Sequence, residues 1–385
     1  MTEMPGKLKT AIVTSFPRDP SRPHGGVEAV SVNLVRALAR LDDLEIHVVT
    51  TDRACTATTR EAFEGATLHR LPWEGRNVLT HVVGPGRRRL RNFLADLTPD
   101  VIHAHDFYGA MVRGLPIPRV FTIHGFIHAD TREARGRFFR LRSRMWKRVE
   151  LAGWADQPHI VSISPYVRER LAGIATGVIH DVDNPIAEGF FRVLRKERKG
   201  TLFCAALICP RKNTLGLVEA FGRLVADGAD ARLRLAGRPI DEAYHRRVQA
   251  RSEELGVQDR VDWLGGIAVA QVQEELAAAS AFVLPSFEEG SPMGVEEAMA
   301  VGVPVVTSNR CGMPYMVRHG ESGFLIDPHS SQDIAWRLGE LLQDDALRER
   351  MGGLGRRIAE ERFHPDRVAR QTRDVYREAV RGHGR

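Results

Sequence analysis

Two glutamates eight residues apart, Glu289 and Glu297, are the side chains whose spacing could do chemistry. A helical path of that length spans roughly 12 Å. That is too far for the nucleophile and acid of a retaining hydrolase, which stand about 5 Å apart. The pair suits two separated parts of one extended ligand. Between them, Gly290, Ser291, Pro292 and Met293 lie where a helix would begin, and backbone N–H groups at a helix N-terminus seat an anion. The ligand inferred is anionic in the middle and carries hydroxyls at both ends, as a nucleotide sugar does. Taken singly, each glutamate is also explained as an acid stabilising a helix start through its dipole.

The elements that hold this pair can be read around it. Ala281 to Leu284 is a short apolar run, the pattern of a buried parallel strand. Pro285 and Ser286 break it, and Phe287 to Ser291 form an acidic turn. Pro292 suits a first helical turn, and Val295, Ala298, Met299 and Ala300 give the helix a packing face. Gly302 and Pro304 stop it before a strand that begins at Val303. The turn thus lies at the carboxyl end of a strand, where α/β sheets bind ligands.

Other residues are candidates on weaker patterns. Gly25 and Gly26 precede a helix predicted from Val27 to Leu41. Paired glycines let backbone approach a phosphate, although alone they also read as an ordinary turn. His103 and His105 alternate onto one face of a strand that ends at Asp106; with no third ligand nearby, a metal site is not expected. From Arg132 to Val149 runs a basic amphipathic helix, with Phe138, Leu141, Met145 and Val149 at helical spacing. It suits either an anionic lipid surface or a core-packed helix with a solvated outer face.

The bulk numbers bound the rest. At 385 residues there is room for two cores. A net charge of +6 permits an anionic substrate or membrane surface but does not argue for nucleic acid. Cys55, Cys204, Cys209 and Cys311 are scattered, without metal-ligand spacing, which fits a reducing cytoplasmic compartment. No secretory leader and no apolar run of the ~20 residues needed to span a bilayer is read, so any membrane contact is expected to be peripheral.

Glu289, seven residues, Glu297, then Ala298-Met299-Ala300, Gly302 and Pro304-Val305-Val306 resembles the signature of the family 4 retaining glycosyltransferases of the GT-B fold. The family usually places Gly-Phe-Gly after the first glutamate, where this chain has Gly290-Ser291-Pro292. The resemblance continues along the chain. Gly25-Gly26 is similar to the loop that faces the donor diphosphate, and His124 to the histidine beside the transferred sugar. His105 and Asp106 resemble an acceptor-side strand end. Lys212 is similar to the lysine that grips the diphosphate, whereas the arginine usual five residues earlier is Leu207 here, so Arg211 is the expected second cation. Leu264 and Gly265 match the segment that meets the base. Asp181-Val182-Asp183 has the DxD form of metal-dependent glycosyltransferases, but it precedes Asn184-Pro185 and GT-B enzymes do not need that site; no metal or cofactor is expected.

The resemblance implies two Rossmann-like domains facing across a cleft: an acceptor-side domain over 1–191, a linker over 192–200 and a donor domain over 201–363, with a final helix within 366–385 crossing back. It implies retaining transfer from a nucleoside-diphosphate sugar to a hydroxyl acceptor, lipid-linked or phosphate-bearing among the candidates, with His124, Glu289 and Lys212 at the centre. A UDP-sugar is expected, GDP-mannose is the alternative, and no residue decides between them. Two further readings are a GT-B epimerase or hydrolase, and a non-catalytic subunit that binds polyanion or lipid through the basic helix.

Overall fold

The computed structural model describes residues 6–125 and 139–383. The chain folds as two units, each with its own core. The first takes the chain up to Pro20, Val27–Pro185 and Pro365 onward; the second takes Ser21–Gly26 and Ile186–His364.

The first unit is built on eight strands: β1 (Leu8–Val13), β2 (Leu44–Asp52), β3 (Thr59–Phe63), β4 (Ala66–Pro72), β5 (Val101–His105), β6 (Arg119–Ile123), β7 (His159–Ser162) and β8 (Val178–Asp181). Their order is β3-β4-β2-β1-β5-β6-β7-β8, and all pairings are parallel except the edge hairpin β3–β4. Central strands such as β5, with every residue buried, show a sheet covered on both faces. From β1 the chain winds to β2 on one side and reaches β5 on the other. The carboxyl ends of β1 and β5 therefore flank a point where the winding reverses, the place where open α/β sheets leave a crevice.

The second unit repeats the plan with six parallel strands: β9 (Thr201–Ala205), β10 (Arg232–Ala236), β11 (Val261–Gly265), β12 (Ala281–Leu284), β13 (Val305–Ser308) and β14 (Gly323–Ile326), in the order β11-β10-β9-β12-β13-β14. Here the winding reverses between β9 and β12, whose paired residues include Phe203 and Phe282.

Two boundaries differ from the sequence reading. The units divide at Pro185 rather than after 191, and the charged run 192–200 is not a free linker. Phe190 and Phe191 are buried in the second core, the N–H groups of Lys196 and Arg198 donate to Ala277 and Ala278 carbonyls at 2.8 and 2.9 Å, and Arg195 donates to the Gly302 carbonyl at 2.8 Å. The run is a strap fixed by its backbone and by its charges, with Glu197 pairing with Arg348 at 2.9 Å.

The helix Pro365–Gly382 belongs to the first unit and buries Val368, Ala369, Thr372, Val375, Tyr376 and Ala379 at helical spacing. Tyr376 is fully buried, with its hydroxyl 2.7 Å from His103 Nδ1. The basic helix is described from Phe139 to Ala155; Arg132, Arg135, Arg137 and Phe138 lie outside the described residues. Of the two readings, the described part does not bury Leu141 and Met145 in the core. Trp146, Glu150 and Trp154 face inward, while Leu141 and Met145 are 60% and 43% exposed. Two tryptophans bury more apolar area than a leucine and a methionine, and they set the rotation. Among the described residues no helix is long and apolar enough to cross a membrane.

Candidate functional site

In the second unit, the loops leaving β9 and β12 carry the expected donor residues to the reversal point. After β9, Pro210–Lys212 form one 3-10 turn, and Asn213 follows with φ 57°, a left-handed conformation that asparagine tolerates. Its side chain caps the helix Thr214–Ala226 by accepting from Gly216 N and donates to the Pro328 carbonyl at 2.7 Å. This pins Arg211 and Lys212 against the loop after β12. Lys212 Nζ lies 2.5 Å and Arg211 Nη1 2.9 Å from the same oxygen, Glu289 Oε1. Arg211 Nη1 also donates to the Glu288 carbonyl at 2.8 Å. Glu289 is buried. Burial alone would raise its carboxyl, but Lys212 and Arg211 together outweigh that and hold it below the usual range. Leu207 is half-buried and uncharged in the β9 loop; Arg211 is the second cation at this carboxylate.

The helix between the glutamates spans Met293–Val301 behind Pro292 and ends at Gly302, whose φ of 81° requires glycine. It is buried nearly all round, so its 3.6-residue period carries little information. Glu297, on its second turn, keeps some exposed surface but is ringed by protein. Burial lifts its carboxyl to about 8, and among the described residues no hydrogen bond or ion pair holds it. The neighbouring Glu296, fully buried, accepts from Ser291 Oγ at 2.5 Å and fastens the Gly290–Ser291 turn to the helix. Behind the turn, Gly312 donates its N–H to the Glu289 carbonyl at 2.9 Å. A Cβ on Gly312 would lie 1.7 Å from the Gly290 carbonyl oxygen, so only glycine fits.

The Gly25-Gly26 loop packs with this unit. Ser21 accepts from Val269 N at 3.1 Å, Arg238 donates to His24 Nδ1 at 2.5 Å, and a Cβ on Gly26 would be 3.8 Å from Met293 Cγ. Leu264 and Gly265 end β11, with the Gly265 carbonyl accepting from Gly237 N at 2.7 Å.

The first unit gathers the other candidates beyond β5 and β6. His124 donates its backbone N–H to Asp106 Oδ1 at 2.8 Å, and its Nε2 is 3.0 Å from His105 Nδ1. Burial lowers the imidazole of His124; the charge of Asp106 and a hydrogen bond with Asn184 oppose it without reversing it. His105 is lowered further by burial and by its histidine neighbours. Both rings are therefore neutral at pH 7. His103 does share a face with His105, their centroids 4.4 Å apart, but it is committed to Tyr376 and Thr122. Beside Asp106 is a recess walled by Phe107, Phe121, Trp146 and Trp154.

The sequence reading missed three contributors: Glu296, Arg238 and the contact of Asn184 with His124. An acid at the buried end of a Ser291-to-Glu296 link resembles a helix-start device and carried no distinct signal. Arg238 was legible only as an arginine following Gly237 at a strand end.

Residues 186–357 match the family model described as glycosyl transferases group 1, and residues 24–187 match the one described as glycosyltransferase family 4. The chain is 29% identical over 240 residues to a GDP-mannose-dependent alpha-(1-6)-phosphatidylinositol monomannoside mannosyltransferase of Mycobacterium tuberculosis, covering 57% of this chain and 61% of that protein. It therefore spans about three fifths of that relative's length. It is 28% identical over 404 residues to a D-inositol 3-phosphate glycosyltransferase of a Nocardioides species, covering 92% and 85%. Among solved structures it is similar to sucrose-phosphate synthase from Thermosynechococcus elongatus (TM-score 0.82, 20% identity, 97% and 99% covered). It is also similar to Anabaena HepE in complex with UDP-glucose (TM-score 0.76, 16% identity, 96% and 99% covered).

Proposed function

The chain belongs to family 4 of the GT-B glycosyltransferases, and from that premise we propose that it transfers a sugar from a nucleoside-diphosphate sugar to a hydroxyl acceptor with retention of configuration. The observation that carries this reading is the Arg211–Lys212–Glu289 cluster at the reversal point of the second sheet. Arg211 and Lys212 would pass from the carboxylate to the donor diphosphate and stabilise it as charge develops on departure. Glu289, with the N–H groups of the Gly290–Met293 turn, would orient the sugar hydroxyls. Glu297 would accept from the ribose hydroxyls, while Leu264 and Gly265 would border the base. The Gly25-Gly26 loop, already against Met293, would border the diphosphate. No side chain is assigned as nucleophile. The acceptor would attack on the face the phosphate leaves, with the phosphate taking its proton and the neutral His124 steadying the transferred sugar beside His105 and Asp106. No metal is assigned a role.

The donor base is proposed as uridine or guanosine; a relative is named for GDP-mannose and a structural neighbour was solved with UDP-glucose. A phosphate-bearing acceptor is supported by relatives named for phosphatidylinositol and inositol 3-phosphate substrates, and by Arg140, Arg142, Arg144, Lys147 and Arg148 on the basic helix. Exposed Leu141 and Met145 beside those cations support contact with an anionic membrane from the cytoplasmic side. The test is a melting panel with UDP, GDP, ADP and dTDP. One nucleotide is expected to stabilise the protein, and Lys212→Ala to abolish that shift. Product NMR is then expected to show the donor's anomeric configuration. An inverted product would refute the mechanism. Donor consumed without acceptor would favour an epimerase or hydrolase. Lipid binding that survives Lys212→Ala, with no donor turnover, would favour a non-catalytic subunit.

A further inference from the structure

A cluster that the transfer reaction does not use lies at the edge of the first sheet. β7 and β8 pair in parallel with His159 opposite Val178, which puts His180 one pleat further along on the same face. The two imidazoles are stacked, centroids 5.3 Å apart and planes at 21°, with His159 Nδ1 3.0 Å from His180 Nε2. Glu378, from the helix Pro365–Gly382, is the third member: one ring nitrogen from each histidine and one carboxylate oxygen lie within 4.8 Å of one another.

We infer that His159, His180 and Glu378 form a site for a divalent transition-metal ion of the zinc class, which fastens the helix 365–382 to the β7–β8 edge. Tetrahedral zinc with bonds of about 2.0–2.1 Å holds its ligand atoms roughly 3.3 Å apart. The histidine pair is already near that spacing, and a Glu378 carboxylate oxygen lies within 4.8 Å of both. Two imidazoles and one carboxylate select zinc, cobalt or nickel over magnesium or calcium. Glu378 is exposed and enters no ion pair among the described residues, so the ion has an entry path and a ligand to receive it. The adjacent Asp181 is taken by Arg168 at 2.9 Å and is not a ligand.

A second histidine pair shows what a non-chelating arrangement looks like. His47 Nδ1 and His69 Nε2 are also 3.0 Å apart, but Glu45 binds the opposite nitrogen of His47 at 2.8 Å. That is a linear relay, and its three groups do not converge. The role at His159 is structural. His159 opens β7, whereas His124 follows the carboxyl end of the parallel neighbour β6, so the two lie toward opposite ends of the strands.

The test uses the tag-free full chain, freed of metal with EDTA and titrated with Co2+ and Zn2+. One equivalent of Co2+ is expected to give the visible bands of a four-coordinate N/O site, displaceable by Zn2+, with a rise in melting midpoint that EDTA reverses. His180→Gln and Glu378→Gln are expected to weaken binding by about tenfold or more, while His69→Gln leaves it unchanged. Because Glu378 is exposed, E378Q tests the site even if H180Q fails to fold. No bound equivalent at micromolar metal, binding that persists in E378Q, or loss of binding in H69Q would overturn the inference.

Discussion

Glu289 and Glu297 are two glutamates of the same turn-and-helix unit in opposite electrostatic states. Glu289 is ionised because two cations outweigh its burial, whereas Glu297, ringed by protein and with no partner among the described residues, titrates near 8. The sign of the second case is testable. Glu297 releases its proton near 4.5 in the unfolded chain and near 8 in the folded one, so its contribution to stability falls as pH rises across that window. Glu297→Gln is therefore expected to raise the melting midpoint at pH 8 and to leave it nearly unchanged at pH 4. In the proposed reading, ribose hydroxyls donate to the ionised form and pull the pKa down. Binding of a nucleotide sugar, whose diphosphate diester does not titrate here, should tighten from pH 6 to 8 by up to tenfold per unit, with proton release. Calorimetry in buffers of different ionisation heat measures both; in Glu297→Gln the pH dependence should vanish.

The β12 loop depends on contacts made by an element far along the chain. Gly312 abuts the Gly290 carbonyl, and neither backbone has room to give. Gly312→Ala is expected to displace the turn that carries Glu289, weakening nucleotide-sugar binding at least tenfold, with a stability loss of about 1–3 kcal/mol; titration and melting separate the two effects. The strand, turn, helix and strand over 281–306 could be read from the sequence, because an apolar run, a Pro-Ser break and a Gly-Val-Pro stop are local signals. The convergence of Lys212 and Arg211 on one oxygen of Glu289 could not: it is set by strand order in the second sheet, which puts β9 beside β12, not by neighbours in sequence. Nor could the sequence choose between its two readings of the basic helix. Leu141, Met145 and Val149 match a helical stripe, but Trp146 and Trp154 had the core to fill.

At the scale of the whole molecule, the described histidines lowered by burial lie in the first unit, among them His69 near 4, His103 near 3 and His105. Each is neutral when folded and protonates near 6.5 when unfolded. The stability they secure is complete above that pH and lost as pH falls toward their folded values. Glu297, in the second unit, has the opposite sign. Acidification from pH 7 to 5 is therefore expected to weaken the first unit before the second. Hydrogen exchange should show β5 and β6 losing protection ahead of β9 and β12; equal loss would contradict this. Tyr376→Phe removes the hydroxyl facing His103 and should cost about 1–3 kcal/mol, measured in urea.

The second unit's long segment, Ile186–His364, is inserted in sequence between β8 and the helix that completes the first. During synthesis the strands of the first sheet leave the ribosome before the side chains of Val368, Val375 and Tyr376, whose helix packs on β5 and β6. At ordinary elongation rates that interval is on the order of ten seconds. For that time the sheet face of β5 and β6 that the helix Pro365–Gly382 packs on stays uncovered beside a growing neighbour, so the nascent chain is most exposed to misassembly while its second half is being made.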